Sequence, residues 1–370
     1  MKYFIIAGEA SGDLHASNLI ISLKKLDPKA DFEFLGGDLM QKATKHMPVI
    51  HYKYMAFMGF VDVIMNIRTI WGNFRKAKKA LLKQQPDVVI LVDYPGFNLK
   101  MAAFAKKNGF KIHYYISPKL WAWKEWRVKE IRKNVDKLFV ILPFEIPFYN
   151  KHNIKADYVG NPVVDAVMNH RGMGRNTFLQ TFNLSNKPIV ALLPGSRKQE
   201  LKMMLPELLS ITKQFPDYQF VISGAPGMTK ADYADYLQDI DVPIIFNHTY
   251  DLLQNAHSAL VTSGTATLET ALFRVPQVVV YKTYKWQYHL GKLFVKIPYF
   301  SLVNLILNKP AVTELLQYDF NQTVLKMELE SINKGEKRVK LLQDYQELSR
   351  LLGTNAVSDK TAELILADIG

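Results

Sequence analysis

Ala259-Leu260-Val261-Thr262-Ser263-Gly264-Thr265-Ala266-Thr267-Leu268-Glu269 is the stretch that decides how the chain folds. Leu260 and Val261 end an apolar run that predicts a buried strand. Ser263, Gly264 and Thr265 make a small-residue turn, and Leu268, Ala271 and Leu272 then recur at helical spacing. A strand, a tight turn and a helix N-terminus leave backbone N–H groups free for an anion, and the helix dipole favours negative charge there. Gly264 has no Cβ, so a phosphate can approach the backbone closely. Glu269 lies one helical turn further on, within reach of a sugar hydroxyl beside a bound phosphate. Alone, the stretch reads more readily as an ordinary capped helix of an α/β domain. A second unit of the same kind stands upstream, where the apolar run 189–193 leads into Pro194-Gly195-Ser196-Arg197. Two such units in one half of the chain, one carrying Arg197, point to a shared diphosphate site.

Composition sets the bounds. A chain of 370 residues is long enough for two hydrophobic cores, and 48% hydrophobic with 22% charged residues is a globular balance. With no cysteine, disulfides, thiolate metal sites and a cysteine nucleophile are excluded. Lys and Arg number 47 against 34 Asp and Glu, a net charge of +13, which suits a phosphorylated substrate, an acidic membrane face or nucleic acid. The short apolar run 2–7 meets Glu9 almost at once and reads as a first strand, not a secretory signal. No apolar stretch is long enough to span a bilayer. A cytoplasmic protein is expected.

The first half opens with a strand over 3–7, the turn Gly8-Glu9-Ala10-Ser11-Gly12-Asp13, and a helix over 14–26 that Asp13 is expected to cap. The glycines do not fit the dinucleotide fingerprint, and Glu9 would repel a pyrophosphate, so a ligand with hydroxyls is expected here. His15 is expected on the solvent side, without a role. A strand over 32–35 follows. The segment 54–65 contains Met55, Phe57, Met58, Phe60, Val61 and Ile64, and the helix after it, 68–85, carries Arg68, Arg75, Lys76, Lys78, Lys79 and Lys83. Both a core helix and a surface resting on an anionic membrane fit this pairing. A strand over 88–92 ends in Asp93-Tyr94-Pro95-Gly96-Phe97-Asn98. A carboxylate at the carboxyl end of a parallel strand stands where open α/β sheets bind ligands, so Asp93 is the candidate general base. Strands over 111–116 and 138–142 flank Trp121, Trp123 and Trp126, which could stack on sugars, line an acyl pocket or simply pack. The interleaving of basic residues there is too sparse for nucleic acid. The residues 158–162 read as a final turn and 170–176 as a linker.

The second half repeats the alternation, with strands over 189–193, 219–223, 244–246, 259–261 and 277–281. The expected fold is α/β, two Rossmann-like doubly wound domains facing across a cleft. Their expected extents are 1–168 for acceptor and membrane, 169–345 for the nucleotide sugar, and 346–370 as a helical segment packing back on the first. Asp239 and Asp241 form a metal-transferase-like Asp-x-Asp, but before a strand, the wrong end for a ligand, so it reads as chance. No metal and no cofactor is expected.

These motifs together resemble the lipid-A-disaccharide synthases, family 19 inverting glycosyltransferases of the two-Rossmann type called GT-B. The resemblance rests on 8–13, Met58-Gly59-Phe60, 93–98, Ser117-Pro118 with Trp121-Ala122-Trp123, 142–145, 193–197, 263–269 and Ser301-Leu302-Val303-Asn304, all in order. It implies transfer of 2,3-diacylglucosamine from its UDP conjugate to 2,3-diacylglucosamine 1-phosphate at the cytoplasmic face of the inner membrane. The products implied are a β-1,6-linked disaccharide 1-phosphate and UDP. The implied donor site is Gly195, Ser196, Arg197, Ser263, Gly264, Thr265 and Glu269, with Asp93 and Arg197 catalytic. Glu9, Ser11 and Asn304 complete the acceptor side, Asn304 on the resemblance alone. Pro310 and Thr313 depart from the family pattern. An epimerase or peptidoglycan transferase acting on UDP-N-acetylglucosamine would need no acyl surface, and a non-catalytic sugar-nucleotide or membrane-binding protein would need no Asp93.

Overall fold

In a computed structural model, residues 1–55, 66–237, 240–288, 297–353 and 356–370 are described. They divide into two compact units, Met1–Pro162 with Asn355–Gly370, and Val163–Thr354.

The first unit is built on strands β1 (Lys2–Ala7), β2 (Asp31–Gly36), β3 (Ile50–His51), β4 (Val88–Val92), β5 (Ile112–Tyr115), β6 (Lys137–Val140) and β7 (Asp157–Tyr158). All pair in parallel, in the order β3-β2-β1-β4-β5-β6-β7. Its helices are α1 (Ala10–Leu26), α2 (Asp38–Thr44), α3 (Ile67–Gln84), α4 (Pro95–Lys107), α5 (Val128–Asn134) and α6 (Glu145–Lys151). The strands read as unbroken apolar runs because both faces of the sheet are covered. Phe4 and Ile6 join one core with Ala77, Leu81 and Met101, while Tyr3, Ile5 and Ala7 join the other with Leu19, Leu23 and Ile365.

The second unit repeats the plan after α7 (Pro162–Met168) and α8 (Arg175–Thr181). Its strands are β8 (Ile189–Leu193), β9 (Gln219–Gly224), β10 (Ile244–Phe246), β11 (Ala256–Thr262), β12 (Gln277–Tyr281) and β13 (Thr313–Leu316), parallel in the order β10-β9-β8-β11-β12-β13. The helices are α9 (Lys198–Leu209), α10 (Ala231–Ala234), α11 (Thr249–Asn255), α12 (Thr265–Leu272), α13 (Leu302–Leu307), α14 (Gln322–Asn333) and α15 (Glu336–Leu352). The last helix, α16 (Val357–Ile369), belongs to the first unit and packs on α1 through Val357, Ala362 and Ile365. The boundary between units therefore falls at Pro162/Val163, ahead of 168, and α15 stays with the second unit.

Several local expectations change. The strands β3, β7 and β13 are short edge elements without a clear alternating pattern. The helix α1 begins at Ala10, inside the turn, so Asp13 is not its cap. The Asp13 carboxylate instead accepts from the N–H groups of Gly37 (2.7 Å), Leu39 (3.0 Å) and Met40 (3.2 Å), closing the N-terminus of α2. His15 is half-buried, and desolvation pushes its pKa down to about 4. Met55 is buried at 2% exposure in the core shared with Ala77 and Leu81, so it is not part of an outer surface. Phe57, Met58, Phe60, Val61 and Ile64 lie outside the described residues, as does Asp239.

Candidate functional site

In each sheet the strand order reverses at one place, between β1 and β4 in the first and between β8 and β11 in the second. Loops leaving the carboxyl ends of the two strands at such a point part to opposite sides and open a crevice for a ligand. Register fixes which residues meet there: Ala7 pairs with Val92, and Leu193 with Val261. The turns after these four strands are 8–13, 93–98, 194–197 and 263–265, the same four that the sequence singles out.

In the first unit, Asp93 sits just past β4, with its N–H still bonded to the Tyr115 carbonyl at 3.1 Å. Burial raises its pKa to about 6; Lys119 pulls it down and Glu9 pushes it up. A base must hold a proton weakly enough to release it and strongly enough to take it, so a carboxyl near 6 suits proton abstraction at neutral pH. Among the described residues, no side-chain donor is hydrogen-bonded to this carboxylate. Glu9 is half-buried at the start of α1 and Ser11 is exposed on its first turn.

The loop after β5 frames the same edge. Glu145, 1% exposed, accepts from Ser117 Oγ (2.6 Å), Trp121 Nε1 (3.3 Å) and the N–H groups of Ile141 (3.1 Å) and Leu142 (2.9 Å). It ties the tryptophan loop to the end of β6, and burial raises its pKa. Trp121 packs edge-on against Phe144, whereas Trp123 and Trp126 are half exposed or more, with Lys124 Nζ 4.0 Å above the Trp123 ring. On α3, Trp71 is 64% exposed beside the exposed Arg75, Lys76, Lys79 and Lys83, and Lys78 Nζ lies 4.6 Å over Phe104. Trp71, Trp123, Trp126 and the cations Arg75, Lys76, Lys79 and Lys83 are exposed, in contrast to Met55.

In the second unit, Gly264 and Thr265 are exposed, a Cβ on Gly264 would meet nothing within 4 Å, and α12 has no side-chain cap. Its first N–H groups are therefore open to an anion. The companion turn is differently disposed. Glu200 Oε2 accepts from the N–H of Ser196 (2.8 Å) and of Arg197 (3.2 Å). Gly195 is left-handed at φ 107°, and a Cβ there would stand 2.5 Å from that same oxygen. The carboxylate thus fills the place the sequence reading gives to a phosphate. An acid at the third position of α9 is the sequence signal for such a cap. The Arg197 side chain is 67% exposed, with Nη1 3.8 Å from Glu200 Oε1. Arg197, Glu200, Tyr281, Lys282, Thr283 and Gln287 line one concavity of about 220 Å³. Glu269 is half-buried, its pKa raised by burial, and Tyr250 donates its hydroxyl to Oε1 at 2.8 Å.

Asn304 requires a correction. It lies in the second unit, 1% exposed, and its amide is committed within the protein. Oδ1 accepts from Val312 N (2.8 Å), while Nδ2 donates to the Val312 carbonyl and to Glu314 Oε1, both at 2.9 Å. Both amide hydrogens are used and Oδ1 already accepts one bond, so the buried side chain has no donor left for a ligand. Its reach is indirect: Glu314 also accepts from Phe300 N (2.9 Å) and Ser301 N (2.8 Å), and the Phe300 carbonyl accepts the Ser263 hydroxyl at 2.8 Å. Asn304 therefore braces the segment that holds the turn at Ser263. Thr313, one of the departures from the family pattern, hydrogen-bonds Glu328 at 2.8 Å.

Among the described residues, no group of three or more His, Asp or Glu side chains is arranged to hold a metal ion.

A family model described as lipid-A-disaccharide synthetase matches residues 3–369. The lipid-A-disaccharide synthase of Geobacter sulfurreducens is 34% identical, covering 100% of this chain and 97% of the relative. That of Nitrosococcus oceani is 36% identical, covering 98% and 95%. Among solved structures, the UDP-GlcNAc 2-epimerase of Neisseria meningitidis bound to UDP-GlcNAc superposes with a TM-score of 0.68 at 14% identity, covering 99% of this chain and 100% of that one. The kitacinnamycin glycotransferase gives 0.63 at 12%, covering 100% and 99%. At such identities these two share the fold alone.

Proposed function

The chain belongs to the lipid-A-disaccharide synthetase family and is a glycosyltransferase of lipid A disaccharide synthesis. On that premise we propose that it transfers 2,3-diacylglucosamine from the UDP conjugate to the 6-hydroxyl of 2,3-diacylglucosamine 1-phosphate, with inversion. The acceptor oxygen attacks the anomeric carbon as the bond from that carbon to the β-phosphate oxygen breaks. The hydroxyl proton passes to the Asp93 carboxylate, and UDP leaves with the bonding electron pair. One displacement inverts the centre and gives the β-1,6 linkage.

The observation that carries this reading is Asp93, at the switch point of its sheet with a pKa raised to about 6 and, among the described residues, no side-chain donor on its carboxylate. Arg197 and the open N–H groups of Gly264 and Thr265 at the start of α12 take up charge on the departing diphosphate, with no metal required. Glu269, oriented by Tyr250, holds the ribose. Glu9 and Ser11 face the acceptor sugar.

Both substrates carry acyl chains, so the enzyme works best where it need not draw them through water. No helix of the described residues is long and apolar enough to cross a membrane. Attachment is instead peripheral, on the cytoplasmic face of the inner membrane, through the basic face of α3 and exposed Trp71, Trp123 and Trp126. The deciding experiment measures UDP release from the two purified lipid monosaccharides. UDP appears only with both present and with Asp93 intact; release without the acceptor, or undiminished in Asp93→Asn, rejects the reading.

A further inference from the structure

We infer that Asn98 and Tyr114 are positioning residues for the transfer, together clamping the main-chain carbonyl of Asp93 and so aiming its carboxylate. The inference rests on the reading of Asp93 as the base. Two consecutive non-glycine residues, Asp93 (φ 44°) and Tyr94 (φ 49°), are left-handed. Such a conformation is strained for a residue with a side chain and persists only where its surroundings over-determine it.

The surroundings here are specific. Past the end of β4 the Asp93 carbonyl leaves the sheet ladder. It accepts Asn98 Nδ2 at 2.7 Å and the Tyr114 hydroxyl at 2.6 Å. Asn98 Nδ2 also lies 3.2 Å from the Val92 carbonyl, so one amide grips the last two residues of the turn's entry. Both side chains are fully buried, one on α4 and one on β5. From the other side the Tyr94 ring lies against Gly8, where a Cβ would come within 2.1 Å of it, and its hydroxyl reaches the Met55 carbonyl. Three elements therefore converge on one peptide plane, and the Cα–Cβ direction of Asp93 follows from that plane. Neither Asn98 nor Tyr114 needs to touch substrate. Nothing in their spacing within the sequence announces the pair, because β5 is brought beside β4 only by the sheet.

Tyr114→Phe keeps the buried ring and removes one donor; Asn98→Asp keeps shape and replaces the donating amide with an acceptor. Initial rates of UDP release are measured across pH 5–9 with both lipid substrates, beside melting temperatures and Asp93→Asn. Misplacing a reacting group by about 1 Å can cost roughly a hundredfold. Tyr114→Phe is therefore expected to lose about tenfold in kcat and Asn98→Asp about a hundredfold. KM for both substrates should stay within about twofold in Tyr114→Phe, and its acid limb should move to lower pH as the carboxylate loosens towards solvent. An unchanged kcat and an unmoved acid limb in Tyr114→Phe would overturn the inference, even if Asn98→Asp failed to fold. If Asp93→Asn itself turned over normally, the base reading would fall, and the inference with it; inactive Asp93→Asn with normal Tyr114→Phe would sink the positioning role alone.

Discussion

At the scale of single residues, burial sets the chemistry of the acceptor side. The Asp93 carboxyl is raised to about 6 chiefly by desolvation. The folded chain prefers the protonated carboxyl, so stability from this group is gained as pH falls through about 6, whereas the proposed proton abstraction needs the ionised form and is lost over the same range. We expect kcat/KM to fall tenfold per pH unit below about 6, and Asp93→Asn to lower turnover about 10²–10⁴-fold at neutral pH while leaving UDP binding nearly unchanged. A pH–rate profile flat down to 5 would count against it. On the donor side, Arg197→Ala should weaken UDP binding and slow transfer, measured by calorimetry and UDP release. Treatment of the wild type with EDTA should leave the rate unaltered. Activity lost on chelation and restored by magnesium would contradict a metal-free departure of UDP and bring Asp241 back into consideration.

At the scale of elements, the chain shows how far local pattern reaches. The strands 88–92, 189–193, 244–246 and 277–281 have the bounds the sequence predicts, because a buried parallel strand is a continuous apolar run ended by turn residues. The edge strands β3 and β13 are not legible in that way, being half-covered and short. Asp13 looks like the cap of its own helix, but its partners lie on α2, which only the pairing of β1 with β2 brings near. Asp13→Ala should therefore cost about 2 kcal/mol, read from urea unfolding, by leaving three N–H groups without their charged acceptor. Met55 and α3 separate in the same manner. Met55→Ser should lower the melting temperature without altering vesicle binding, since the side chain is core. Reversing charge at Arg75, Lys76 and Lys79 should instead release the protein from anionic vesicles at unchanged melting temperature, each cation contributing about 1 kcal/mol at such a surface.

At the scale of the whole molecule, the last helix returns to the unit in which the chain began. Asp359 binds Ser22 (2.5 Å) and Lys25 (3.1 Å), while Asp368 binds the buried His113 (3.0 Å) and Lys111 (2.9 Å). Val357, Ala362 and Ile365 are fully buried against α1. A chain ended at Gly353 should lose the first unit's cooperative unfolding while the second still melts as a unit, which differential scanning calorimetry resolves. Two undisturbed transitions would mean α16 contributes little.

The sequence by itself determined the alternation of buried strands and helices, the duplication of that plan, and the four turns that stand at the switch points of the two sheets. These follow from local apolar runs, turn residues and helix starts, all encoded by neighbours in the chain. The tertiary structure alone decided that the Asn304 amide is held inside the protein. It alone decided that Met55 is core and that Asn98 and Tyr114 meet on the Asp93 carbonyl. In most of these the partner comes from another element, so strand order and register create the contact. Glu200, one turn from its partners, was within reach of the sequence; there the structure chose between two anions for one set of N–H groups.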